Sequence, residues 1–167
     1  MIADVSDAGG HGLRDADENA SIAEVMEQLR PGNVVALDHV GIAVRSIAQA
    51  RGFYESLGLK VGCDEVVEQE AVRTAMIPLG GTRVELLEAT VEDSAIGRFM
   101  AKRGEGLHHI AVRVADVDAA FARMRAGGVR LVSDGVRAGA GGHRYFFVHP
   151  ASAGGVLVEI VGEGGTR

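Results

Sequence analysis

Two stretches decide how this chain is built: DHVGIAVRSIAQARGFYESLGLKV at 38–61 and HHIAVRVADVDAAFARMRAGGVRL at 108–131. Set one above the other, they match His39 to His109, Val44 to Val114, Ala50 to Ala120 and Gly58 to Gly128, always 70 residues apart and without a gap. In each copy an alternating apolar run reads as a strand, a segment with helical spacing follows and stops at a glycine, and short strands come after it. The later strands are expected in KVGCDEVV (60–67), RTAMIPL (73–79) and TRVELLEA (82–89) of the first copy. In the second copy they are expected in VRLVSD (129–134), RYFFVHP (144–150) and GVLVEIVG (155–162). The reading is an α+β fold of two tandem βαβββ units, unit one at 35–90 and unit two at 107–162, within a single domain at 34–163. Between them DSAIGRFMAKRGEG predicts a connecting helix within 92–104, with Ile96, Phe99 and Met100 on one face. Duplicated units of this kind pair so that their sheets curl into one incomplete mixed barrel with a shared cleft.

Residues 1–33 stand apart. MIADVSDAGGHGLRDADENA is polar, acidic and without apolar periodicity, which predicts a flexible tail. Within the tail, Ile22, Val25, Met26 and Leu29 fall at helical spacing behind Ser21 and Glu24 and before Pro31–Gly32, the pattern of a short capped helix.

The duplication also pairs ionisable residues. In the first strand His39, Gly41 and Ala43 alternate with Val40, Ile42 and Val44, so the branched side chains take the packed face and His39 points into the cleft beside small neighbours. Glu85 in RVELLE and Glu159 in VLVEIV sit at equivalent places in the last strand of each unit, each flanked by apolar residues. Symmetry would bring these two carboxylates together, which is costly unless a cation neutralises them. His39, Glu85, His109 and Glu159 are therefore the candidate ligands of one divalent metal ion. Two imidazoles and two carboxylates suit Co, Zn, Ni or Mn, whereas a structural zinc site favours thiolates, and Cys63 is the only cysteine. By the same alternation His108 is expected on the opposite face from His109. His143 and His149 read as loop residues engaged in surface or turn packing.

Bulk properties narrow the class. A chain of 167 residues suits one globular domain, and one cysteine closes no intramolecular disulfide. With neither a signal-peptide pattern nor an apolar run of spanning length, a cytoplasmic protein without membrane partners is expected. The net charge of −6, with Lys and Arg scattered, argues against nucleic acid.

These residues resemble the vicinal-oxygen-chelate superfamily and, within it, the methylmalonyl-CoA epimerases. The resemblance covers about 35–162 and rests on DHVGIAV, the DSAIGRFM connector, GLHHIAVRV, the GAGG loop at 139–142 and FFVHPASAGGVLVEIV. It implies that His39, His109 and Glu159 are metal ligands, and that Glu85 stands where the family carries Gln or Glu. It further implies a homodimer acting on an acyl-CoA thioester, inverting C2 of a methylmalonyl group by proton removal through an enolate that the metal stabilises. Glu159 matches one catalytic base. The family's second glutamate falls at Thr74, whose hydroxyl is no general base near neutral pH without help, so the role passes to one of Glu68, Gln69 and Glu70, with Glu70 the acid singled out, or to a metal-bound or Thr74-held water. Arg98, Lys102, Arg103, Arg137 and Arg144 are the candidate grips for CoA phosphates. A glyoxalase I-like lyase shares the His/Glu/His/Glu pattern but not the HPASAGGVLVEI ending. An extradiol dioxygenase needs the position that Glu85 fills, and ligand-sequestering relatives often lack the metal residues that this chain has.

Overall fold

The computed structural model describes residues 36–139 and 142–162, so the expected tail helix lies outside the described residues. Among the described residues eight strands and three α-helices follow the duplication. Unit one comprises β1 (Ala36–Ala43), α1 (Ile47–Ser56), β2 (Glu65–Val67), β3 (Val72–Leu79) and β4 (Thr82–Ala89). The connecting helix α2 spans Ala95–Arg103. Unit two comprises β5 (Gly106–Val114), α3 (Val117–Ala126), β6 (Arg137–Ala138), β7 (Arg144–Val148) and β8 (Val158–Gly162). All eight strands form one mixed sheet in the order β2-β3-β4-β1-β5-β8-β7-β6, with the two units joined by the antiparallel pair β1 and β5 at its centre. The sheet curls into the incomplete barrel expected from the repeat. Among the described residues no helix is long and apolar enough to cross a membrane.

Local chemistry repeats at the same offset. Ser46 caps α1 by accepting from the Gln49 amide, and Asp116 caps α3 by accepting from the Ala119 amide. After each helix the chain reverses through a left-handed glycine, Gly58 at φ 80° and Gly128 at φ 74°, a conformation that a Cβ disfavours. The cores match as well. Val44, Ile47, Ala75 and Leu86 pack in unit one as Val114, Val117, Phe146 and Ile160 do in unit two. Fully burying side chains such as Ile47, Ile77 and Leu86 contributes roughly 1.5–3 kcal/mol each. Ile96 buries the apolar face of α2 against Ala43, Val72 and Leu87, with Phe99 and Met100 beside it.

Two expected strands are corrected. The stretch 129–134 makes only an isolated bridge, Leu131 to Val148, and the ladder partner of β7 is Arg137–Ala138. Val129 and Leu131 still reach the unit-two core, so their apolar character reflects burial without a strand. The strand expected from residue 60 is confined to Glu65–Val67, the part that pairs with β3.

Candidate metal centre

Register explains why four side chains converge. Across the central pair His39 lies opposite Ala111 and Gly41 opposite His109, while β4 sets Glu85 beside Gly41 and β8 sets Glu159 beside Ala111. Each histidine thus faces a small residue on the partner strand, and each glutamate flanks that small residue from the other side. The fit at Gly41 is obligatory, because a Cβ there would overlap the His109 ring.

His39 Nε2 lies 3.1 Å from His109 Nε2, 3.3 Å from Glu85 Oε2 and 3.2 Å from Glu159 Oε2. His109 Nε2 lies 3.7 Å from Glu85 Oε2 and 3.4 Å from Glu159 Oε2. Ligand bonds of about 2.1 Å imply donor-to-donor edges of about 2.9 Å in an octahedron and about 3.4 Å in a tetrahedron. The donor atoms of His39, His109 and Glu159 all lie within 4.8 Å of one another, so these three fit a divalent ion, with Glu85 beside both imidazoles but outside that group. His39 and His109 are 5% and 4% exposed, so their ring nitrogens face the cluster rather than bulk solvent.

The cluster is electrostatically coupled. Burial pushes the His39 imidazole down, yet hydrogen bonds with Glu159, Glu85 and Asp38 and the charge of Glu85 prevail and raise it to about 10. Burial pushes the Glu159 carboxyl up, but its hydrogen bonds with His109 and His39 bring it down to about 2.

A second layer of groups was not read from the sequence. The register of β1 against β5 slips at residue 38 and again at residue 108, so Asp38 and His108 are the extra residues of two symmetric β-bulges. Each bulge turns the preceding side chain onto the adjacent histidine of the cluster. Asp38 Oδ1 lies 2.9 Å from His39 Nδ1, and His108 Nδ1 lies 3.0 Å from His109 Nδ1. His108 is therefore not on the opposite face as alternation predicted; it lines the cleft, and burial, then the neighbouring His109, push it down to about 4. Asp38 is itself held by Arg83 and faces Arg113, and it is 7% exposed.

The quartet forms the floor of a cleft of about 440 Å³ whose wall includes Thr74, Glu70, Met76, Tyr145 and Phe147. A profile of the Glyoxalase/Bleomycin resistance protein/Dioxygenase superfamily matches residues 38–147.

The chain belongs to this superfamily.

Among superfamily members it is similar to the ethylmalonyl-CoA/methylmalonyl-CoA epimerase of Cereibacter sphaeroides, 36% identical over 127 residues that cover 74% of this chain and 95% of that protein. A solved methylmalonyl-CoA epimerase in complex with methylmalonyl-CoA and NH4+ matches with a TM-score of 0.75 and 41% identity, covering 80% of this chain and 98% of that one. A variant of the Streptomyces coelicolor methylmalonyl-CoA epimerase in complex with 2-nitronate-propionyl-CoA matches with a TM-score of 0.72 and 44% identity, covering 75% and 95%.

Other residues singled out from the sequence separate in this superfamily cleft. Thr74, 8% exposed, faces the cleft from β3, and Glu70 sits at its edge, whereas Glu68 and Gln69 are exposed outside it. Of the five candidate phosphate grips only Arg137 lines the cleft; Arg98 pairs with Asp93 and Arg144 with Asp118. His149 accepts from the Ala151 amide and caps a 3-10 turn, the turn packing expected of it. His143 is exposed at the cleft mouth.

Asp38 gives the first prediction. A carboxylate on the far nitrogen of a ligand histidine fixes its tautomer and raises its basicity. Asp38→Asn should therefore weaken divalent-metal binding by about 10- to 100-fold, measured by competition with a chromogenic chelator. Wild-type affinity in that variant would show that Asp38 serves only Arg83 and Arg113.

Proposed function

We propose that this chain is a metal-dependent epimerase that interconverts R- and S-methylmalonyl-CoA at C2. The observation that carries the reading is the cluster of buried His39 and His109 with part-buried Glu85 and Glu159 lining a cleft, in a chain similar to epimerases solved with methylmalonyl-CoA and with a propionyl-CoA nitronate. The proposed metal ligands are these four residues, and the ion is a borderline divalent cation such as Co, Zn, Ni or Mn. Bound there, it would supply Lewis-acid stabilisation of the negative charge that develops on the thioester oxygen, worth several kcal/mol.

The chain's own residues move the proton. Glu159, nearly enclosed and beside both imidazoles, takes the C2 proton from one face. The other face is served from unit one, where Glu70 supplies the carboxylate and Thr74 a hydroxyl that orients the reacting group. A threonine hydroxyl is not a general base near neutral pH, so Thr74→Ala should cost about tenfold or less, below the roughly 10²-fold loss expected for a true general base. Abolished exchange from one enantiomer alone in that variant would make Thr74 itself the second catalytic group. Exposed Leu37 and Leu107 on the two central strands support homodimer formation, which sedimentation equilibrium measures.

The deciding experiment incubates metal-loaded protein with a single enantiomer of methylmalonyl-CoA in deuterated water. Deuterium incorporation at C2 together with optical inversion supports the reading. Absence of both overturns it.

A further inference from the structure

The duplication singles out one more residue. In unit one Met76 pairs with Glu85 and Thr74 with Leu87; in unit two Phe147 pairs with Glu159 and Tyr145 with Val161. Thr74 and Tyr145 are thus equivalent positions, each one strand and two residues away from a ligand carboxylate on the cleft face. Where the threonine side chain stops short, the phenol extends. Tyr145 reaches from unit two to unit one and donates its hydroxyl to the Glu70 carboxylate. This is a contact between the two halves of the cleft at its wall, made by a residue that is only 7% exposed.

Both ends of the contact are held. The Tyr145 ring packs edge-on against Phe147 with centroids 5.7 Å apart, and Phe147 packs edge-on against the His109 ring at 5.8 Å. Glu70 ends the 3-10 turn Glu68–Glu70, and the next residue, Ala71, has φ 50°. Among the described residues Ala71 is the one non-glycine with positive φ, a conformation that persists only where its surroundings impose it. The backbone strain sits directly behind the carboxylate that the phenol engages.

We propose that Tyr145 is a catalytic residue of the epimerase, its hydroxyl relaying the proton between the second face of C2 and the Glu70 carboxylate. The inference rests on the epimerase reading above. Glu159 lies on the floor with the metal ligands and the relay lies against unit one, so a substrate seated between them presents opposite faces of C2 to the two. From one enantiomer, Glu159 takes the C2 proton; the Tyr145 hydroxyl then gives its proton to the other face of the enolate as protonated Glu70 returns one to the phenolic oxygen. One C–H bond breaks and one forms, and the enzyme is left with Glu159 protonated and Glu70 ionised. From the other enantiomer the C2 proton passes to the phenolic oxygen while the phenol proton passes to Glu70, and Glu159 protonates the first face. Exchange of the two carboxyls with water resets the enzyme, and the phenol is neutral before and after each turnover. Burial, then the hydrogen bond to Glu70, hold that phenol above its ordinary range, in keeping with a relay rather than a free phenolate base.

The test uses the full chain loaded with its divalent metal, comparing wild type, Tyr145→Phe, Glu70→Gln and the double variant. Single-turnover deuterium exchange at C2 is started separately from R- and S-methylmalonyl-CoA, with metal content and thermal unfolding measured on each protein. Tyr145→Phe should lower exchange from one enantiomer by roughly 10²-fold or more while the other exchanges at a far higher rate. Glu70→Gln should penalise the same enantiomer, and the double variant should be no worse than the poorer single, because the two groups act as a unit. Equal rates for both enantiomers in Tyr145→Phe, or opposite enantiomers penalised by the two single variants, would overturn the relay. An inert wild type would overturn the epimerase reading and the relay with it; an active wild type beside a fully active Tyr145→Phe overturns the relay alone.

Discussion

Exhaustive removal of divalent metal should lower epimerisation by roughly 10³-fold or more, and restoring a single equivalent of Co(II) or a similar ion should recover it. The magnitude follows from a Lewis-acid contribution of several kcal/mol, each 1.36 kcal/mol being about tenfold in rate. Among the described residues the cleft lining offers no substitute of comparable strength. Arg83 is committed to Asp38, and the one proposed phosphate grip on the cleft wall, Arg137, stands on β6 at the edge of the sheet. The same experiment has a pH signature with a definite sign. In the metal-free cluster His39 titrates near 10 and Glu159 near 2, so between about pH 6 and pH 9 the carboxylate is already ionised and the imidazole carries a proton that the metal must displace. Apparent affinity should therefore rise by about tenfold per pH unit across that window, with about one proton released per ion bound. Calorimetry in buffers of different ionisation enthalpy counts that proton. Full activity in demonstrably metal-free protein, or an affinity indifferent to pH, would end the assignment of the quartet.

The quartet was legible because its signal is a repeat: period-two alternation set the facing of His39, Glu85 and Glu159, and the constant offset carried the argument from one unit to the other. Helix ends were legible for the same local reason, since capping by Ser46 and Asp116 and reversal at Gly58 and Gly128 depend on neighbours in sequence. The partners of the ligand histidines were not legible. A bulge is a property of two strands in register, and nothing within DHVG or LHHI says that β1 and β5 slip at residues 38 and 108. Strict alternation therefore sent His108 to the wrong face and left Asp38 without a role. Tyr145 was missed for a different reason. In RYFFV it is one aromatic among three, and only the fold shows that Phe146 enters the core while Tyr145 crosses to Glu70. The misplaced strand at 129–134 shows the converse error, in which apolar residues bury without joining a ladder.

The largest effect of a single substitution is expected at Glu159. The two proposed ligand carboxylates occupy equivalent places in the repeat, yet their surroundings differ in degree: Glu159 lies 3.2 Å and 3.4 Å from the two imidazoles, Glu85 3.3 Å and 3.7 Å. Their proposed duties differ in kind, since Glu159 alone is both ligand and base. Glu159→Gln keeps the shape but removes an anionic donor and the proton acceptor together. Exchange from the enantiomer whose C2 proton Glu159 takes should fall by at least the roughly 10²- to 10⁴-fold attributed to a general base, while the enantiomer deprotonated by the Tyr145 and Glu70 relay exchanges faster, with metal affinity weakened as well. Glu85→Gln removes an anionic donor and no proton-transfer group, so its loss of exchange, measured at saturating metal, should be at least about tenfold smaller. The comparison isolates the base from the ligand, because saturating metal compensates for weaker binding and cannot compensate for a missing acceptor. If the two variants lose exchange equally under saturating metal, the proton leaves C2 by some other group. If Glu159→Gln is impaired equally from both enantiomers at saturating metal, its loss does not come from a base that serves one face of C2.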